Sequence, residues 1–316
     1  MELIRNKQTA SLIILVCLLS IVAVSTIETR KSRAIVATCQ VLQQDLRDIA
    51  LGRALDGVIA QSVLVENAKT QTEYVKRDAL AQRPLASITK LMTARTVLQQ
   101  KVPLEAQYTL TEIDTAPYGA IPGIVTGATF TIADLLRASL VSSSNDSAEA
   151  LMYSTGTQSP DSFYEAMTKE ARDNNWQSFT FSGATGLDVG ERPTAWGSAK
   201  DVSSLYIKNI TEFPEVFIFP QTALSITSSE GVRVELSPTN EAIKNLPLLV
   251  AGKTGYTLSA GGNLAVVWKH PFSSDSYISA VVLGSTFSGR FADITKLYTT
   301  VNTYLQYEQS LQAVCK

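Results

Sequence analysis

The chain has 316 residues, 45% hydrophobic and 18% charged, which is enough apolar material for a substantial core and too much for a disordered polypeptide. Its 27 basic and 29 acidic side chains leave a net charge of −2, without the basic excess that phosphates require, so no nucleic-acid partner is expected. The single histidine, His270, excludes a zinc site built from several imidazoles and argues against a Ser-His-Asp mechanism.

Arg5 and Lys7 precede a charge-free run from Gln8 to Ile27, densest in apolar residues between Leu12 and Val24. About 20 residues at ~1.5 Å rise match the thickness of a bilayer's hydrocarbon core. The run is expected to be an uncleaved membrane anchor, with a signal peptide cleaved near Ala23-Val24-Ser25 as the alternative. Arg30, Lys31 and Arg33 place positive charge on the far side too, so orientation is weakly specified. Either reading makes residues 1–33 a membrane segment and sends 34–316, one folded domain, to the extracytoplasmic face of the membrane. Cys17 lies inside the apolar run. Cys39 and Cys315, near the two ends of the folded part, can pair in an oxidising compartment or remain independent thiols.

Residues Arg33 to Leu55 predict a helix, with Val36, Leu42, Leu46 and Ile49 or Ala50 at helical spacing. Gly57–Glu66 and Glu73–Lys76 predict a strand hairpin about Asn67-Ala68-Lys69. A helix follows from about Ser87 to Gln99. Leu104–Thr131, rich in Gly, Pro and Thr, predicts loop with short strands. Helices are predicted over Ile132–Val141, Asp146–Tyr153, Asp161–Asn174 and Ser198–Lys208. Thr222–Thr227 and Val232–Leu236 form a second hairpin. Leu249–Leu258, Asn263–Lys269 and Tyr277–Ser285 are successive strands, and Phe291–Val314 a terminal helix. Strands at both ends with helices between them predict an antiparallel sheet carrying a helical subdomain.

Lys90 is the only lysine with a serine three positions before it, in Pro84-Leu85-Ala86-Ser87-Ile88-Thr89-Lys90. Positions three apart at a helix start share a face, so Ser87 Oγ and Lys90 Nζ can meet. The helix N-terminus favours negative charge developing at the serine. Leu85, Ile88, Leu91 and Met92 indicate a largely buried helix, where an unpaired lysine is costly. Ser143-Ser144-Asn145 sits between two helices; a hydroxyl can relay a proton and an amide can hold a peptide group. Lys253-Thr254-Gly255 lies in an apolar strand pattern, offering charge and a hydroxyl to a carboxylate, with a glycine that lets a ligand approach the backbone. Taken singly, these are equally a capped helix with a solvated lysine, a Ser/Asn helix cap and an exposed strand lysine.

The three occur once each and in this order, the set shared by β-lactamases and penicillin-binding proteins. Arg83 to Thr93, Leu135-Leu136 running into Ser143-Ser144-Asn145-Asp146, Gly183-Ala184-Thr185-Gly186-Leu187 and Gly252 to Thr257 resemble the serine D-alanyl-D-alanine carboxypeptidases of the low-molecular-mass penicillin-binding protein family. The resemblance covers roughly Gly57 to the final helix. It implies an α+β fold, with a five-stranded antiparallel sheet flanked by helices and an inserted helical subdomain. It also implies a hydrolase without a cofactor or metal, acting on peptidoglycan stem peptides and acylated by β-lactams. By the same resemblance Ser87 is the nucleophile, Lys90 the general base and Ser143 the proton relay to the leaving amine. Asn145 grips the peptide backbone, and Lys253 and Thr254 hold the substrate's carboxylate end. The backbone N–H groups of Ser87 and Tyr256 form the oxyanion hole, with Gly255 beside them. Lys90 must then be neutral near pH 7, while Lys253 keeps its charge.

Ser144 stands where the family often has glycine, which predicts a slightly tighter pocket. No Glu-x-x-Leu-Asn segment follows Asn145, which weakens a β-lactamase reading. The family's frequent accessory β-domain and C-terminal amphipathic anchor are missing, and the N-terminal segment is expected to replace that anchor. The rival functions are a D,D-endopeptidase cutting cross-links and, from another class, a tethered binding or sensing module without turnover. Intact Ser87, Lys90, Ser143 and Lys253 argue against the last.

Overall fold

The computed structural model describes residues 36–115, 119–218 and 222–315. The expected N-terminal membrane segment lies outside the described residues, and among those described no helix is long and apolar enough to cross a membrane. In chain order, helix α1 (36–51) is followed by β1 (Ser62–Asn67), β2 (Glu73–Arg77) and β3 (Arg83–Pro84). A 3-10 turn, Ala86–Thr89, runs into α2 (Lys90–Gln99). The short strands β4 (Gln107–Thr109) and β5 (Thr129–Thr131) precede α3 (Ile132–Val141), α4 (Asn145–Ser154) and α5 (Pro160–Asp173). Then come β6 (Thr180–Phe181), β7 (Ala195–Gly197), α6 (Ala199–Glu212), α7 (Pro214–Phe217), β8 (Leu224–Thr227) and β9 (Arg233–Leu236). A second 3-10 turn, Glu241–Asn245, leads to β10 (Leu249–Thr257), β11 (Gly261–Lys269), β12 (Tyr277–Ser285) and α8 (Gly289–Val314).

Two compact units emerge, Arg53–Asn302 and a second that joins the residues up to Gly52 with Thr303–Lys316. In the second, a disulfide links Cys39 on α1 to Cys315, with Cα atoms 6.0 Å apart. In the first, five antiparallel strands lie in the order β10-β11-β12-β1-β2. The chain's first strand therefore sits inside the sheet, with Val63 opposite Val282 and Val65 opposite Ala280. All six residues of β1 are buried, because both sheet faces are covered. Trp268 is fully buried, its ring 5.1 Å from that of Tyr298 on α8. Ile294, Leu297, Tyr298 and Val301 form the helical stripe that α8 turns inward.

The predicted strand from Gly57 begins only at Ser62. The backbone N–H groups of Ile59 and Ala60 donate instead to the Asp293 carboxylate, at 2.9 and 3.0 Å, so this stretch is held by α8 and not by a strand ladder. The helical layer follows local signals closely. Thr131, Ser144, Ser159 and Ser198 cap α3, α4, α5 and α6 through their hydroxyls. In α2 every residue from Lys90 to Val97 is buried. It is the axis about which Leu135, Leu136, Leu151, Met152, Phe163 and Met167 pack.

Candidate active site

Ser87 stands on the 3-10 turn that opens α2, against the edge strand β10. Three features force the turn into place. Ala86 adopts a left-handed conformation with φ +47°, a strained state for a residue with a Cβ. Gly186 presses against it so closely that a Cβ there would lie 2.0 Å from the Ala86 carbonyl oxygen. Gly255 takes the other side, where a Cβ would come within 2.8 Å of the Leu85 carbonyl oxygen. The glycine of Lys253-Thr254-Gly255 thus admits the turn that carries Ser87, as well as lining the cleft. Asn263 completes the clamp. Its Nδ2 donates to Pro84 O and Leu85 O, and its Oδ1 accepts from Gly284 N–H.

Lys90 is fully buried, and its Nζ lies 2.8 Å from Ser87 Oγ, 2.7 Å from Asn145 Oδ1 and 2.9 Å from Thr185 O. The last two partners can only accept; a hydroxyl can donate as well. A neutral amine therefore keeps all three contacts by giving two N–H bonds and receiving the Ser87 hydroxyl proton on its lone pair. Burial pushes this lysine down to about 7, against the opposing pull of Glu149 and Asp146. Both carboxyls are themselves raised by burial, Glu149 to about 7.

The α3–α4 junction supplies the second wall. Ser143 has φ +59°, which throws its side chain away from the helices toward Lys253, whose Nζ donates to Ser143 Oγ at 2.8 Å. Asn145, two residues later at the start of α4, turns to Lys90. Ser144 between them does not narrow the pocket: its hydroxyl accepts from Ser147 N–H as the cap of α4.

Lys253 on β10 is buried and also donates to Thr254 O at 2.9 Å. Burial holds it well below the ordinary lysine value, and the charges of Lys90 and Arg290 act in the same direction. The cleft thus lowers both lysines, and the expected contrast between a neutral Lys90 and a charged Lys253 is not imposed by burial alone. Thr254 Oγ1 meets Thr239 Oγ1. Tyr256 is half-exposed and packs edge-on against Phe287, with ring centroids 4.9 Å apart.

These walls enclose a cavity of about 430 Å³ bordered by Ser87, Ser143, Asn145, Thr254 and Tyr256. A hydroxyl beside a buried amine, a second hydroxyl beside a second amine, and an amide between them suit acyl transfer. The family model of the D-alanyl-D-alanine carboxypeptidases, peptidase S11, matches residues 52–286. The chain belongs to this family. An endopeptidase of Pseudomonas aeruginosa, named for D-alanyl-D-alanine, is 27% identical over 249 residues, 77% of each chain. A cefotaxime-bound penicillin-binding protein of Listeria monocytogenes is 27% identical, with TM-score 0.65 over 76% of this chain and 96% of that one. A D-alanyl-D-alanine carboxypeptidase of Mycobacterium tuberculosis shares the fold at 21% identity, with TM-score 0.68 over 78% of this chain and 91% of the other.

As a member of the D-alanyl-D-alanine carboxypeptidase family the protein is a serine-type peptidase, and all eight residues singled out in its sequence converge on this cleft. Others escaped the sequence. Arg290, buried at the start of α8, reaches the cavity. Its Nη1 donates to Gly255 O at 2.9 Å, its guanidinium lies 4.5 Å from the Phe287 ring, and its Nε has no hydrogen-bond partner among the described residues. Thr185 was legible only as part of a family stretch, because its contribution is a backbone carbonyl. Asn263 had no local signal at all.

Proposed function

We propose that this protein is a penicillin-sensitive serine DD-carboxypeptidase, which removes the terminal D-alanine of peptidoglycan stem peptides through an acyl-enzyme on Ser87. The observation that carries the reading is Lys90: a fully buried amine on Ser87 Oγ whose other contacts are neutral acceptors. Ser87 Oγ attacks the carbonyl carbon of the bond between the two D-alanines, and its proton passes to Lys90. The N–H groups of Ser87 and Tyr256 receive the developing oxyanion, one such donor being worth roughly 3 kcal/mol. Ser87 is the second residue of a 3-10 turn, where the first N–H groups lack partners within the turn. Ser143 delivers a proton to the leaving amine and is reprotonated with the one that Lys90 took from Ser87; the C–N bond breaks, D-alanine departs and Lys90 is neutral again. Water then hydrolyses the ester, with Lys90 again as base.

Asn145 holds the peptide backbone, and Thr254 and Arg290 take the terminal carboxylate. That carboxylate resolves the competition between the two lysines. An anion at Thr254 and Arg290 favours the proton on Lys253 and leaves Lys90 neutral when the substrate is seated. A β-lactam enters by the same route, with its leaving group tethered by the ring. The reading places residues 34–316 as the catalytic part on the extracytoplasmic side of the cytoplasmic membrane, held by residues 1–33. The Cys39–Cys315 disulfide supports an oxidising compartment.

A fluorescent penicillin followed on a denaturing gel tests the chemistry. Label on the wild type and none on Ser87→Ala is expected; an unlabelled wild type would overturn the reading. An endopeptidase is the second reading, favoured by the name of the Pseudomonas relative and by a cavity of about 600 Å³ that continues the cleft past Glu241 toward α8. Chromatography of digested muropeptides separates the two, as free D-alanine or as cleaved cross-links.

A further inference from the structure

The two N–H groups assigned to the oxyanion belong to different elements, Ser87 to the turn before α2 and Tyr256 to β10. Their spacing is set by whatever joins those elements, and one side chain joins them directly. In the sheet Asn263 on β11 stands opposite Gly255, the residue before Tyr256. Opposed residues of an antiparallel pair present their side chains on the same face. On that face lies the Leu85 carbonyl, which a Cβ on Gly255 would meet at 2.8 Å. With no side chain at Gly255, the Asn263 amide reaches past it: Nδ2 donates to Pro84 O at 2.9 Å and to Leu85 O at 3.0 Å.

The amide is locked in this orientation. A bulge in β12 places both Leu283 and Gly284 opposite Asn263, between the pairs Gly262–Ser285 and Leu264–Val282. The extra residue of a bulge drops out of the ladder, and here the Gly284 N–H donates to Asn263 Oδ1 at 2.8 Å. With its acceptor atom taken by an N–H, the amide keeps both hydrogens toward Pro84 and Leu85. Asn263 is fully buried, so water does not compete for these groups. What the clamp restrains is a strained segment. Ala86, left-handed at φ +47°, lies between the held Leu85 carbonyl and the Ser87 N–H. On the other side, Arg290 Nη1 holds Gly255 O, the carbonyl of the peptide unit that carries the Tyr256 N–H.

We propose that Asn263 is a positioning residue for the oxyanion hole: it ties the turn that carries Ser87 to the strand pair that carries Tyr256, and so fixes the spacing of their two N–H groups. It does not line the reaction cavity and acts only through the backbone. A donor is effective only within about 3 Å of the developing oxyanion, so a small drift of either N–H is enough to lose it. The proposal rests on the DD-peptidase reading above.

The test compares two substrates on the full chain, a D-alanyl-D-lactate depsipeptide and its thionoester, in which sulfur replaces only the acyl carbonyl oxygen. Sulfur is larger and accepts hydrogen bonds poorly, so wild type should favour the oxygen ester by about a hundredfold or more. Asn263→Ala should lower kcat for the oxygen ester about 10- to 100-fold with KM little changed, and should shrink the oxygen-to-sulfur ratio by about tenfold. A role in stability alone would reduce the active fraction for both substrates equally and leave the ratio untouched. Where Asn263→Ala does not fold, as a melting curve shows, Asn263→Asp carries the same comparison. It keeps the volume and the bond from Gly284 N–H but sets an oxygen against the two carbonyls. An unchanged kcat, or equal losses on the two substrates, would overturn the positioning role alone. Hydrolysis of neither ester by wild type would overturn the DD-peptidase reading and the positioning role with it.

Discussion

Helix α2 buries two basic side chains five residues apart, and they are held in opposite ways. Arg95 donates from Nε to Glu170 at 2.6 Å and from Nη2 to Glu212 at 2.7 Å, with Asn209 Oδ1 and the Trp176 ring completing its surroundings. Lys90 contacts no carboxylate among the described residues; its partners are a hydroxyl, an amide oxygen and a backbone carbonyl. The arginine's charge is matched, so its site ties α2 to α5 and α6. The lysine's charge is unmatched, so the same depth of burial favours losing its proton, as the proposed role of base requires. Arg290 falls between them, with aromatic rings about it and an unmet Nε that a substrate carboxylate can reach.

The comparison breaks first at Lys90. Lys90→Met should lower penicillin acylation by at least about a thousandfold while the protein still folds. Its stability should also respond differently to pH. Lys90 binds a proton on unfolding between its folded value of about 7 and the ordinary 10.5, so wild-type stability rises with pH across that window, by up to ~1.4 kcal/mol per unit. Urea titrations at pH 7 and pH 9 should show the methionine variant losing Lys90's share of the slope, while Lys253, also held below the ordinary lysine value, keeps its own. An unchanged slope would mean that the amine is charged in the folded state.

Arg95→Ala should cost about 3–5 kcal/mol, because Glu170 and Glu212 lose the charge that matches them. Urea unfolding measures the loss. The acylation pH profile of the folded fraction should not move, since Arg95 does not touch the reacting atoms. In wild type that profile should fall on the acid side with a midpoint near 7, as Lys90 takes up its proton. Arg290→Ala should reduce kcat/KM about 10- to 100-fold for peptides ending in a free carboxylate, and far less for the same peptides amidated at that end. Ser144→Ala should cost only about 1 kcal/mol, the value of a helix cap, with acylation close to wild type.

The contrast between the two cations also marks what could be read from the chain. The three-residue spacing of Ser87 and Lys90 is local, and one turn at a helix start brings the two together whatever surrounds them. The helix starts were nearly as legible, because Thr131, Ser144, Ser159 and Ser198 cap through backbone groups within three residues, whereas α6 runs on to Glu212, past the expected end at Lys208. The late strands have long apolar runs, and the observed β12 spans the predicted residues.

The protonation contrast was only half legible. An apolar helix announced that Lys90 is buried. That its partners are Asn145 and Thr185, from 55 and 95 residues away, is a fact of packing, and so is the arrival of Glu170 and Glu212 at Arg95. Arg290 carries no local signature, because it reaches the cleft only through the way α8 meets β10. The early start predicted for β1 fails for a similar reason: Asp293, more than two hundred residues on, takes the N–H groups that a strand neighbour would have used. Sequence periodicity and short spacings fixed the elements and the chemical types at the site. Whether each buried base keeps its charge depends on groups brought in from distant parts of the chain, and only the tertiary structure decided it.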